Sequence, residues 1–322
     1  LRGVDSSAAR VKLCRVRTTV LLAALTLFLA VACRPEPAPR TSVAVGAIDP
    51  PLAGVPRRIV PATTAAAEYL AALIDPARIA ALPGQVDDFA TRDFQAPPFG
   101  ALPRFAKYLA EPLLALEPDL VVTLVWQNQD TTAVLRREKI PVLVLRSGED
   151  YESVRETLAL LGRVLGAEAK AAEITRDLDA RAARLRERAA KRPKLRALVY
   201  SNDGTGGWAA GSRTTAGALL DLCGLVNAGA VDGLVEHQQV DMERVLRIAP
   251  DVFVCGAPVS AEVGSATRAV LLSAAPLQQL PAVRDERIAI VPSVLLSADS
   301  PALLDAAEAL EREILRLYPE SK

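Results

Sequence analysis

Few residues in this chain could do chemistry. His237 is the only histidine among 322 residues, and neither an HExxH pair nor a GxSxG elbow occurs. Zinc hydrolysis and serine-nucleophile catalysis therefore lack their minimal residue sets. Cysteine is as sparse: Cys14, Cys33, Cys223 and Cys255, with no CxxC pair. That excludes a thiolate metal site and a small disulfide scaffold, while Cys223 and Cys255 can pair only if folding brings them close. Asp87, Asp88 and Asp93 form one carboxylate cluster, for which a solvated loop is the commoner explanation. A bare zinc or manganese cargo would need more ligands than these. The segment Gly206-Gly-Trp-Ala-Ala-Gly211-Ser-Arg approximates a phosphate-binding loop. The nucleotide motif requires lysine after the last glycine, and Ser212 stands there.

The aromatic residues say more, because they make up only 4% of the chain. Trp126 sits just past the predicted strand Asp119–Leu124, and Trp208 falls in a loop after the predicted strand Leu195–Tyr200. Ligands of α/β domains gather at the carboxyl ends of strands, so both tryptophans belong beside a cleft. Phe105 precedes Glu111 by six residues and His237 precedes Glu243 by six, which offers one further ring from each half at matching positions. For each ring the alternative is packing beneath a surface loop. Nearby polar groups are Gln127, Asn128, Gln129, Arg92, Arg104 and Arg213. Guanidinium in a cleft would favour an anionic chelate through bidentate contacts. His237 is either an axial ligand to a cargo's iron or cobalt or a neutral histidine held in a loop.

Something must position these residues, and the apolar pattern says what. Short runs without alternation, at Arg58–Val60, Asp119–Leu124, Pro141–Leu145, Leu195–Tyr200, Asp251–Cys255 and Arg287–Val291, read as strands covered on both faces. Helical stretches at Thr64–Leu73, Thr131–Glu138 and Asp299–Leu317 lie between or after them. The alternation predicts two α/β domains, 57–150 and 194–322. Between them, 151–193 reads as a connecting helical segment with an apolar stripe at Ala171, Ile174, Leu178, Ala182, Leu185 and Ala189. A helix of roughly 26 residues would span roughly 39 Å there and limit hinge motion. The two halves also share a phrase: Leu114–Val122 and Val245–Val254 each run from a helix end through Pro-Asp into a strand. Proline stops the helix and aspartate suits the turn. Equal counts of 38 basic and 38 acidic side chains argue against a nucleic-acid partner.

The first residues carry a different message. The chain begins with leucine, which points to a truncated or unusual start. Arg10, Lys12, Arg15 and Arg17 precede an apolar run from Thr18 to Ala32. At roughly fifteen residues that run is short for a membrane span and suits a signal peptide over 1–33. It ends in Leu29-Ala-Val-Ala-Cys33, similar to a bacterial lipobox, although Ala30 stands where the motif prefers leucine. Cys33 is then the acylated first residue of a membrane-anchored periplasmic lipoprotein; the other reading is secretion with cleavage beside an incidental cysteine. The proline-rich stretch 34–56 reads as a flexible tether.

Taken in order, several segments resemble the class III periplasmic binding proteins, which carry cobalamin, ferric siderophores and haem to ABC importers. They are Arg58-Ile-Val with a Thr/Ala-rich helix start containing Glu68, Leu116–Val121, Ile140–Leu145, the connecting helix, Ala210–Gly217 leading to Gly224–Asn227, Val240–Leu246 and Leu280–Ile288. The resemblance runs from about Arg57 to Leu317. It implies two similar α/β domains joined by one long interdomain helix, with a ligand cleft between them, and no enzymatic activity or cofactor of the protein's own. It further implies that Phe105, Trp126, Gln127, Trp208, Arg213 and His237 hold an iron chelate or a corrinoid. Glu111 and Glu243, one per domain, would dock on an ABC permease dimer with its ATPase, the binding protein itself being a monomer. An extracytoplasmic hydrolase or a cargo-free lipoprotein sensor is the alternative, and no motif favours either.

Overall fold

The computed structural model describes residues 45–204, 206–258 and 265–319. The predicted signal peptide, Cys33 and the first part of the tether, 34–44, lie outside the described residues.

The first lobe is built on four strands, β1 (Ile48–Asp49), β2 (Ile59–Pro61), β5 (Leu120–Leu124) and β6 (Val142–Leu145), in the order β1-β6-β5-β2. The last three are parallel and wholly buried, as their predominantly Val, Leu and Ile composition suits. β1 pairs antiparallel with β6 through Ile48↔Leu143, so the end of the stretch read as tether serves as an edge strand. A two-strand annex of β3 (Leu82–Pro83) and β4 (Arg104–Phe105) lies beside this sheet. The second lobe orders β10 (His237–Val240), β8 (Gly207–Ala210), β7 (Arg196–Asn202), β11 (Val252–Ala257) and β12 (Ile288–Pro292), with β9 (Val226–Asn227) also on β7. β7, β11 and β12 run parallel, and β7-β8-β10 fold antiparallel.

Nine helices need labels: α1 (Thr64–Leu73), α2 (Ala110–Leu114), α3 (Gln129–Arg137), α4 (Tyr151–Leu165), α5 (Glu168–Ala189), α6 (Thr215–Leu222), α7 (Met242–Ile248), α8 (Ala266–Ser273) and α9 (Leu303–Leu317). The connecting segment holds two of these, a first helix α4 and then the long helix that the stripe predicts. An Asp150–Ser153 capping box opens α4, and Gly166 ends it in the left-handed region at φ 65°. The long helix α5 that follows has 22 residues, with Ala171, Leu178, Ala182 and Leu185 of its stripe buried. One apolar cluster runs from Leu70 and Leu143 in the first lobe, through Leu158, Leu178 and Leu185 of α4 and α5, to Leu219 and Leu310 in the second. The lobes therefore share a core rather than meeting over a thin linker.

The repeated Pro-Asp phrase does the same work twice. The Asp119 carboxylate accepts from the Arg57 and Arg58 backbone N–H at 2.6 and 2.9 Å, and the Asp251 carboxylate accepts from Arg196 N–H at 2.7 Å. Each aspartate thereby pins the start of the neighbouring parallel strand. Arg58 and Arg196 side chains return the favour, donating to the helix-end carbonyls of Leu116 and Ile248. Glu117 and Ala249, just before each proline, both take left-handed φ (47° and 42°), which closes the helix ahead of the turn.

Candidate functional site

The carboxyl ends of the parallel strands in both sheets open onto one cleft of about 920 Å³. That volume is near the upper end, about 1,000 Å³, of small-molecule sites. Both walls begin with the same local device. Thr63 accepts from Ala66 N–H at 3.1 Å and Thr214 accepts from Gly217 N–H at 2.9 Å, so each Thr-Thr-Ala caps a helix whose first turn lines the cleft.

Trp126 stands just beyond β5, and Trp208 on the other wall; both line the cleft, and they are 60% and 49% exposed. Trp208 is not on a loop, as predicted, but in the middle of β8, between Ser201 and Gln239. The alternation of a strand leaves it outward while Gly207 and Ala209 are buried. An aromatic ring this large left half exposed has apolar area to give to a ligand. His237 opens β10 and lines the cleft, and burial pushes its imidazole below its ordinary pKa. Arg213 lies at the rim in the left-handed region (φ 59°) and reaches across to Glu149 of the first lobe at 3.4 Å, with Glu236 at 4.0 Å.

Other predicted residues go elsewhere. Phe105 is 8% exposed and packs in the core with Val60, Leu113 and Val121. Pairing with β3 turns its ring inward, and the match with His237 fails because their local strands differ. Gln127 donates to the Ala62 carbonyl at 3.4 Å and does not line the cleft, and Asn128 caps α3. Arg104 is committed to Asp87 at 3.0 Å and to the Leu102 and Phe94 carbonyls, while Arg92 lies over the Phe99 ring. Cys223 and Cys255 are free thiols buried in separate apolar clusters, and burial raises the pKa of both.

The floor of the cleft holds two carboxylates that carried no predicted role. Glu68 of α1 accepts from Thr91 N–H and Oγ1 at 2.6 Å and from the Ser300 hydroxyl of the second lobe. Asp299, next to Ser300, accepts from Gly148 N–H of the first lobe at 2.6 Å. Two reciprocal bonds thus cross between the lobes. Burial, with Glu68 nearby, pushes the Asp299 carboxyl up to about 6 despite that amide. A Cβ added at Gly148 would lie 2.3 Å from the Asp299 carboxylate, so any larger residue there would have to displace that side chain. Among the described residues no group of three or more His, Cys, Asp or Glu is placed to hold a metal ion, and no helix is long and apolar enough to cross a membrane.

Comparison with known proteins agrees with this geometry. The profile of the family described as "Periplasmic binding protein" matches residues 59–295. A "Cobalamin-binding protein" of Halobacterium salinarum is 31% identical over 164 residues, 51% of this chain and 44% of the relative. The match thus spans somewhat under half the length of the curated relatives. Among solved structures, the apo periplasmic haem-binding protein RhuT from Roseiflexus superposes with a TM-score of 0.66 at 23% identity, covering 80% of this chain and 98% of that one. The periplasmic vitamin B12 binding protein BtuF of Vibrio cholerae gives 0.66 at 21% identity, covering 83% and 99%. At these identities the likeness is one of fold.

Proposed function

The chain belongs to the periplasmic binding protein family, and from that premise we propose that it captures a bulky metal chelate, whether haem, ferric siderophore or corrinoid, and passes it to an ABC permease. The observation that carries the reading is the pair of half-exposed tryptophans, one per lobe, on a cleft of about 920 Å³. A sugar or amino acid would need far less room and more convergent polar groups. The neutral imidazole of His237 adds one nitrogen ligand for a cargo's metal. The cobalamin-binding relative supports a corrinoid among these cargoes.

Delivery falls to Glu111 and Glu243. Each is exposed in the first turn of a short helix, α2 or α7, makes no ion pair among the described residues, and has an exposed apolar neighbour, Leu109 or Met242. Exposure leaves both carboxylates available to cationic groups of a permease. Anchoring through Cys33 would keep the cleft at the membrane surface. Isothermal titration of the purified chain with haem, cyanocobalamin and ferric siderophores, beside a panel of sugars and amino acids, tests the central claim. Micromolar or tighter binding of at least one chelate is expected; tight binding only from the second panel refutes it.

A further inference from the structure

The charge lining the cleft is lopsided. Glu68 and Asp299 lie at its floor and Glu149 and Glu236 at its rim. Among the described residues, one guanidinium stands against these four carboxylates, that of Arg213, already shared between Glu149 and Glu236. His237 adds no charge at neutral pH, since burial lowers its basicity. The helix starts of α1 and α6 also face the cleft, but each is worth only about +0.5 charge. Together they offset about one carboxylate. Most of the remaining polar lining is hydroxyl, from Thr63, Thr64, Ser201, Thr215, Ser293 and Ser297 among others.

We infer that this cleft selects a metal chelate with no net negative charge and a hydrogen-bonding periphery, and discriminates against chelates rimmed by carboxylates or catecholates. The inference rests on the reading of the cleft as a chelate site. Hydroxyls can both donate to and accept from amide groups without demanding charge. A haem, by contrast, would bring two propionates to a wall that offers them no free cation, and a ferric tricatecholate would bring three negative charges. Such charges in a partly desolvated cleft repel more strongly than they would in water. Specificity arises here from what the site repels as much as from what it holds. The chemistry fits two sources, a corrinoid with its amide side chains or a neutral or cationic ferric trihydroxamate.

Calorimetry at pH 7.5 on the full-length chain in mild detergent, with six probes, separates these cases: cyanocobalamin, cobinamide, ferrichrome, ferrioxamine B, haem and a ferric tricatecholate. At least one of the first four is expected to bind ten-fold or more tighter than either of the last two. The corrinoid and hydroxamate pairs then identify the source. In the Glu149→Gln, Glu236→Gln double variant, haem affinity should rise ten-fold or more relative to that for the preferred probe. Both positions are solvent-exposed at the rim, so folding is expected to survive the change. The selectivity is overturned if haem or the tricatecholate is the tightest ligand, or if the double variant leaves haem binding unchanged; the chelate reading survives either result. If none of the six binds, the chelate reading itself fails and takes this inference with it.

Discussion

Ionising Asp299 should cost the fold stability, and the cost can be worked from its surroundings. The carboxyl is largely buried at the junction of the lobes, which moves its pKa from 3.8 to about 6. Each pKa unit is worth about 1.4 kcal/mol, so the charged form is disfavoured in the folded state by about 3 kcal/mol. Because the folded pKa lies above the unfolded one, the folded chain binds the extra proton between the two values. Asp299 therefore contributes most stability below about pH 4, and the contribution is lost as pH rises through about 6. Asp299→Asn removes the titration while its amide oxygen can still accept from Gly148 N–H. The difference in unfolding free energy between variant and wild type, followed by denaturant melts from pH 4.5 to 8, should bend near pH 6. It should favour the variant by about 3 kcal/mol at pH 8, roughly 5–10 °C in melting temperature. A difference that is flat with pH, or a variant equally destabilised at pH 5 and pH 8, would refute the reasoning.

Three structural elements and the proposed docking pair yield further expectations. Covering about 100 Å² of each half-exposed tryptophan is worth about 2.5 kcal/mol; Trp126→Ala and Trp208→Ala should each weaken cargo binding roughly 60-fold by calorimetry without moving the melting temperature. Glu311, 1% exposed and bonded through both oxygens to Arg192, should lose about 3–5 kcal/mol of stability on change to Ala, by chemical denaturation, because a buried guanidinium is left unpaired. Spin labels at exposed Arg137→Cys and Gln278→Cys, in a background lacking Cys14 and Cys33, should separate or approach by less than about 2 Å on cargo binding, since the lobes share one core. Glu111→Ala with Glu243→Ala should leave cargo affinity and melting within error of wild type while abolishing uptake in cells; normal uptake would remove the docking role.

The parts of the fold legible in the sequence are those governed by local chemistry. Runs such as Leu120–Leu124 and Val142–Leu145 are wholly buried, and apolar but for Thr123, because helices and sheet cover both faces, and such a run announces itself. The Pro-Asp phrase was legible for a similar reason: its helix stop and its hold on the next strand both lie within a few residues or across one strand pair. The short strands were not, because two to four residues carry no periodicity. Trp208 was consequently expected on a loop, and Phe105 was matched to His237 by spacing alone although β4 turns its ring into the core. Of the two glycines of the connecting segment only Gly166 ends a helix; the sequence did not separate them, since glycine also occurs inside helices at modest cost, as Gly162 does in α4. Asp299, Glu149 and Glu236 had no signal at all. Asp299 and Glu149 acquire their roles from the other lobe, through Gly148 and Arg213, and Glu236 from Arg213, which is 23 residues away along its own lobe.

That last group separates how the two lobes hold together from how they bind. Away from the cleft, the join is made of groups in their preferred states: an apolar cluster through α4 and α5, and Arg181 bonded to Asp305 and Glu308 of α9. At the cleft floor the join instead uses an aspartate whose charged form is disfavoured, with a second carboxylate beside it. Stability surrendered at one place in an otherwise well-satisfied fold is the usual mark of a site selected for something else. A shared core keeps the walls near their bound separation before the ligand arrives, so little ordering cost falls on binding. The same rigidity means that release cannot rely on the lobes simply drifting open. It calls for a partner that grips both lobes at once, which is the role proposed above for Glu111 and Glu243, one on each.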